Sequence, residues 1–125
     1  MDKKLDQNVF GEQLEICSNK TMTGYFRNGL CETSSDDVGS HTVCAKVTNK
    51  FLIYSKKKGN DLITPRPELN FPGLKEGDKW CLCAIRWLEA LNDNVAPPIF
   101  IRSTNILALE IIDIDLLKKH AVDLL

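Results

Sequence analysis

The stretch that decides the fold is Thr42-Val43-Cys44-Ala45-Lys46-Val47-Thr48-Asn49-Lys50-Phe51-Leu52-Ile53-Tyr54-Ser55-Lys56-Lys57-Lys58-Gly59. In its first third, Val43, Ala45 and Val47 interleave with Thr42, Cys44 and Lys46, the period-2 pattern of a half-buried strand. Thr48 or Asn49 then offers a side-chain oxygen to cap a helix. Phe51, Leu52 and Ser55 fall on one side of that helix. Its lysines gather at the C-terminal end, where cations complement the helix dipole. Gly59 supplies a left-handed stop.

Working outward from this strand–helix unit, residues 1–7 read as a flexible N-terminal tail. Val9, Phe10, Leu14 and Ile16 suggest one short strand over 8–17. Residues 18–40 are rich in turn formers, with Gly24, Gly29 and Gly39, and long irregular segments of this kind build sites. On the other side, residues 60–78 carry Pro65, Pro67 and Pro72, so they form an ordered excursion without a hydrogen-bonded ladder. Trp80-Cys81-Leu82-Cys83-Ala84 is apolar on both faces, as a central strand is. Helical spacing follows, with Ala84, Trp87 or Leu88, and Leu91 on one face, ended by Asn92-Asp93-Asn94 and Pro97-Pro98. Ile99-Phe100-Ile101 reads as a third strand. Leu107, Leu109 and Ile111 alternate with Ala108 and Glu110 in a fourth. Asp113 caps a last helix that aligns Ile114, Leu117 and Ala121. The expectation is a single α+β domain over 8–125, with a mixed four- to five-stranded sheet, about three helices and long ordered loops.

The 125 residues amount to one ordinary domain, and 43% of them are hydrophobic, which excludes a disordered chain. Sixteen Lys+Arg against seventeen Asp+Glu leave a net charge of −1, without the electrostatic footprint of a nucleic-acid binder. No stretch approaches the ~20 apolar residues of a membrane span. No apolar leader segment is visible at the N-terminus, so the expected compartment is the cytoplasm, where thiols stay reduced. Five cysteines, an odd count, argue against a closed disulfide framework. There is no Gly-rich phosphate loop, no G-x-S-x-G elbow, no H-E-x-x-H and no EF-hand pattern.

Three chemistries remain. The polar set Arg27, His41, Asn60, Asp61, Thr64 and Arg66 lies just outside predicted elements, where binding groups sit. Two arginines there are suited to hold a carboxylate or phosphate in a bidentate fork. The structural alternative is an Asx-turn at Asn60-Asp61 and a local pair between Arg66 and Glu68. A thiol nucleophile would be Cys44 with His41 as base, and Asp36, Asp37 or Asp61 as the orienting carboxylate. Zinc would need four ligands from Cys31, His41, Cys44 and one of Cys81 and Cys83, although no C-x-x-C knuckle is present. Buried cysteines also pack as small hydrophobes, so no cofactor is expected and zinc is the alternative. The first reading is a binding domain for a small polar or anionic ligand in a loop-lined pocket. The alternatives are a thiol- or zinc-dependent enzyme using His41 and Cys44, and a protein-interaction module using a sheet edge.

Several segments carry a resemblance: Asn8-Val9-Phe10-Gly11, Met22-Thr23-Gly24-Tyr25-Phe26-Arg27, Gly39-Ser40-His41-Thr42-Val43-Cys44-Ala45 and Gly59-Asn60-Asp61-Leu62. Thr64-Pro65-Arg66-Pro67, Phe71-Pro72-Gly73-Leu74, Gly77-Asp78-Lys79-Trp80-Cys81-Leu82-Cys83-Ala84, Arg86-Trp87 and Ala96-Pro97-Pro98 extend it. Together they resemble the bacterial domain of unknown function 2237 over nearly the whole chain. Phe10 stands where the family has a leucine, Leu30 replaces one of two adjacent cysteines, and Asn105 replaces a frequent histidine. The resemblance implies a shared fold and carries no assigned activity.

Overall fold

The computed structural model describes residues 6–20 and 22–124. Strand β1 (His41–Lys46) and helix α1 (Asn49–Lys57) form the predicted strand–helix unit. Thr48 caps the helix by accepting the Phe51 amide at 3.1 Å, and Lys56 and Lys57 occupy its last turn. Strand β2 (Lys79–Cys83) runs directly into helix α2 (Ala84–Asn92), which buries Ala84, Trp87 and Ala90. The Trp87 indole N–H donates to the Pro97 carbonyl at 3.0 Å, so the ring is enclosed without an orphan donor. Helix α3 (Ile114–His120) begins at Asp113, whose carboxylate accepts the Asp115 amide at 2.9 Å. No helix among the described residues is long and apolar enough to cross a membrane.

The sheet is smaller than the sequence predicts. Among the described residues it has two strands, β1 and β2, paired antiparallel, in place of four to five. The outer edges explain this. The Cys44 amide donates to Thr104 Oγ1 at 3.2 Å and the Cys81 amide to Thr23 Oγ1 at 2.8 Å. Buried side-chain hydroxyls thus satisfy amides that further strands would otherwise have to meet. The expected strand at 99–101 shrinks to a bridge between Ile99 and Ala45, because Pro97 and Pro98 bring no amide donors and a 3-10 turn starts at Ile101. The expected strand at 107–111 is a 3-10 helix, Ile106–Glu110. Asn105 caps it by accepting the Leu107 amide at 2.9 Å, and Ala108 rather than Leu107 is buried. Over 8–17 there is no ladder, only bridges from Gln7 to Gln13 and from Asn8 to Asn105. Of the expected tail, residues 1–5 lie outside the described residues. The Asp6 carboxylate accepts the Thr33 amide and the Asn105 side-chain amide, both at 2.9 Å.

The two strands separate two packed layers. Val43, Ala45, Trp80 and Leu82 join Phe51, Leu52 and Trp87 in the main core. Cys44 and Cys81, directly opposite in the register, belong to a second cluster with Cys17, Cys31 and Phe100. This second layer corrects the expectation of reduced thiols. Cys17 is bonded to Cys44 and Cys31 to Cys81, which leaves Cys83 as the free cysteine. An odd count excludes only complete pairing; four of the five still pair. Each strand therefore carries one staple to the irregular segment that covers it.

The bonded cysteines are 27 and 50 residues apart. Loop-closure entropy at those spans corresponds to about 3.5 and about 4 kcal/mol. The double substitution Cys31→Ser with Cys81→Ser should therefore lower the urea unfolding free energy by roughly 2–4 kcal/mol. An unchanged urea midpoint would show that packing alone holds the segment on the strands.

Candidate functional site

The β1–β2 register pairs Cys44 with Cys81 and Val43 with Leu82, and then slips, so that His41 rather than Thr42 faces Cys83. The extra residue is a bulge, a device that re-aims side chains at the end of a ladder. The residue before it, Ser40, has a left-handed φ of 50°. Its carbonyl accepts both the Thr42 amide at 2.8 Å and the Ala84 amide at 3.0 Å, which ties the bulge to the first residue of α2. Cys83 is both the last residue of β2 and the N-cap of α2, whose first turn has no side-chain cap. The thiol is thus carried by the residue that opens a helix, at the positive end of its dipole.

Across the bulge, His41 Nε2 lies 3.2 Å from Cys83 Sγ, and His41 Nδ1 lies 2.7 Å from Asp37 Oδ1. The Asp37 side chain is buried, at 1% exposure. Its Oδ2 accepts the His41 amide and the Thr33 hydroxyl, both at 2.9 Å. Burial pushes this carboxyl up, but the hydrogen bonds from His41 and Thr33 outweigh it and hold Asp37 below its ordinary value. The Cys83 sulfur, through its hydrogen bond, is the main cause that raises His41 to about 9; desolvation opposes it and Asp37 adds to it. A carboxylate on one ring nitrogen fixes the tautomer and turns the other nitrogen to the sulfur. A half-buried thiol, an imidazole and a carboxylate in hydrogen-bonded series are the components of a nucleophilic centre. Gly39 makes the close approach possible, because a Cβ there would sit 2.9 Å from Cys83 Sγ and 3.2 Å from His41 Cε1.

A cavity of about 120 Å³ adjoins His41, lined also by Gly24, Tyr25, Arg27, Trp80 and Cys81. The Arg27 guanidinium lies over the Trp80 ring, 5.6 Å from its centroid. Cys83 is not among the lining residues and reaches this cavity through His41; larger concavities exist, including one of about 350 Å³ beside Cys17 and Lys79, but His41 does not line that one.

Of the residues singled out in the sequence, the structure brings Arg27 and His41 to one cavity. Cys44 is joined to Cys17 and so is not the thiol that His41 faces; Cys83 is. Asp61 accepts the Ile63 amide at 2.9 Å and the Thr64 amide at 3.1 Å, the Asx-turn alternative. Hydrogen bonds from Thr64 and Ile63 hold its carboxyl down to about 2. The Asn60 carbonyl accepts the Ser55 hydroxyl, and the Arg66 backbone bridges Phe71. None of Asn60, Asp61, Thr64 and Arg66 lines the cavity beside His41. Of the suggested zinc ligands, Cys31, Cys44 and Cys81 are disulfide-bonded, leaving His41 and Cys83 as an imidazole and a thiol. The pairing of Cys83 with His41 was missed because it depends on a cross-strand register with a bulge. The available signal was local: Asp37 and His41 four residues apart, with Gly39 between them.

The family model for uncharacterized proteins conserved in bacteria, DUF2237, matches residues 7–121. The chain belongs to this family, in agreement with the resemblance read from its motifs. No curated protein matches the chain.

The His41–Cys83 pair makes a pH prediction. His41 is raised from 6.5 to about 9 in the folded protein, so its contribution to stability is complete below about 6.5 and is lost as the pH rises through about 9. Nuclear magnetic resonance of the imidazole should place the wild-type midpoint near 9. In Cys83→Ser the largest cause of the shift is gone, and the midpoint should fall toward 6.5. A midpoint that does not move on this substitution would break the assignment of His41 to Cys83.

Proposed function

We propose that the protein is a thiol-dependent enzyme in which Cys83 is the nucleophile, His41 its proton partner and Asp37 the group that orients His41. One observation carries the reading: the three side chains form a continuous hydrogen-bonded series, with His41 between the sulfur and a buried carboxylate. The substrate is a small molecule entering the loop-lined cavity beside His41. In the step proposed, the Cys83 sulfur attacks an electrophilic carbon and forms an S–C bond. The bond from that carbon to its leaving group breaks, and the leaving group departs with the proton held by His41. Water deprotonated by His41 then attacks the same carbon: an O–C bond forms, the S–C bond breaks, and the Cys83 sulfur leaves with the proton returned to the His41–Cys83 pair. Asp37 accepts a hydrogen bond from the Nδ1–H throughout and stabilises the imidazolium. This reading places the ligand-binding role of the pocket in the service of chemistry at Cys83.

The test uses the fact that Cys83 is the free cysteine, so a single adduct formed without reductant reports on it. Intact-mass kinetics with iodoacetamide at neutral pH should show alkylation faster than that of free cysteine. His41→Ala should slow it by about tenfold or more, and Asp37→Asn by a smaller factor in the same direction. Circular dichroism of the variants verifies the fold. If His41→Ala reacts as fast as wild type while remaining folded, Cys83 is not the nucleophile of a catalytic centre.

A further inference from the structure

We propose that the substrate carries a small carboxylate, and that Arg27 holds it while its electrophilic carbon is presented to Cys83. This rests on the reading of Cys83 as nucleophile and adds to it the class of molecule on which the thiol acts.

Among the described residues, Arg27 has no carboxylate partner. The ion pairs among the described residues are His41–Asp37, Arg86–Glu89 and Arg102–Glu12. Arg27 instead stacks over Trp80 and lines the cavity that His41 also lines. Stacking on a ring leaves the edge of the guanidinium and its forked donors free for an incoming anion.

The residue is also held in place. Its amide donates to the Gly24 carbonyl at 3.0 Å, and its own φ is a left-handed 57°. An arginine in that conformation is uncommon and persists where surrounding contacts enforce it. Gly24 itself has a φ of 92°, and a Cβ on it would lie 2.2 Å from the Leu30 carbonyl oxygen, so the turn closes only with glycine there. The turn is anchored to β2 twice. The Thr23 hydroxyl accepts the Cys81 amide at 2.8 Å, and Cys31, one residue past Leu30, is bonded to Cys81. Since β2 also carries Cys83, the guanidinium and the thiol are mounted on one rigid support.

Charge and size favour a carboxylate. The buried Asp37 carboxylate behind His41 disfavours an anion in the cavity unless a cation offsets it. Among the residues lining the cavity, Arg27 is the permanent cation. A planar carboxylate matches its fork with two parallel hydrogen bonds. The cavity, at about 120 Å³, lies well below the ~300 Å³ at which drug-sized sites begin, so the molecule has few atoms.

Two reagents with the same electrophilic carbon and leaving group test this. With iodoacetate or iodoacetamide, Cys83 forms an S–C bond, the C–I bond breaks and iodide leaves; only iodoacetate carries a carboxylate. Wild-type protein should have a ratio of iodoacetate to iodoacetamide rate above that of free cysteine. Arg27→Gln should lower the ratio of iodoacetate to iodoacetamide rate by about tenfold. Arg27→Lys, which keeps the charge and loses the fork, should fall between. If iodoacetamide reacts rapidly and Arg27→Gln leaves the ratio unchanged, the carboxylate inference is overturned while the nucleophile stands. If Cys83 reacts with neither reagent faster than free cysteine, both are overturned.

Discussion

The site depends on a one-residue slip in the pairing of β1 and β2. Along most of the ladder the register is regular, with Lys46 opposite Lys79 and Cys44 opposite Cys81. Continued without interruption, it would place Thr42 opposite Cys83. Directly opposed residues on an antiparallel pair share a face and approach closely, so the residue in that position determines what the thiol meets. The bulge substitutes an imidazole for a hydroxyl methyl carbinol side chain. It holds because its amides are satisfied: the Thr42 amide bonds Ser40, the Ala84 amide bonds the same carbonyl, and the Asn105 amide bonds the Thr42 carbonyl.

A two-stranded ribbon alone is marginal in water. Here it is clamped on both faces. The helices bury Phe51, Leu52 and Trp87 against one face, and the segment carrying Cys17 and Cys31 covers the other through two disulfides. The sulfurs of Cys17, Cys31 and Cys81 all lie within 4.8 Å of one another, so the two staples form one compact knot under the irregular segment. Cys83, two residues beyond Cys81, is the first position past that knot. The irregular segment therefore supplies both the cover for the strands and, through Thr23, Gly24 and Arg27, the wall of the cavity.

What could be read in the sequence was what is settled locally. The cap at Thr48, the cap at Asp113 and the helical spacing of Trp87 depend on residues within one or two turns, and each forms as the pattern predicts. The sheet was over-read because alternation of apolar residues describes two situations alike. In 107–111 the alternation belongs to a 3-10 helix begun by Asn105, and a strand's period of two does not distinguish it from that turn. The edge amides of β1 and β2 are met by Thr104 and Thr23, partners 60 and 58 residues away, which no local window contains. The site was legible in part for the same reason. Asp37 is one of three carboxylates, with Asp36 and Asp61, that the sequence offers to His41, whereas the choice of Cys83 over Cys44 as the facing thiol depends on a long-range disulfide and a bulge. Asp61 shows the converse: a polar residue beside an element whose side chain is consumed by turn chemistry.

Backbone strain locates the site independently of its chemistry. Among the described residues, four that are not glycine have a positive φ: Arg27, Ser40, Asn70 and Asn94. The two asparagines belong to the residue type that visits this region most readily, and they sit at the end of a 3-10 turn and just past α2. No such tolerance accounts for Arg27 and Ser40. One projects the guanidinium over Trp80 at the cavity, and the other immediately precedes the histidine of the bulge. Strain of this kind costs stability and persists where neighbouring contacts over-determine it. Here the contacts that do so are the Thr23–Cys81 hydrogen bond, the Cys31–Cys81 disulfide and the paired amides on the Ser40 carbonyl. The rigid parts of the molecule thus hold two unfavourable conformations, one at the cavity and one at the bulge. Both conformations lie beside the residues that carry the proposed chemistry, Arg27 at the cavity that His41 lines and Ser40 next to His41 itself.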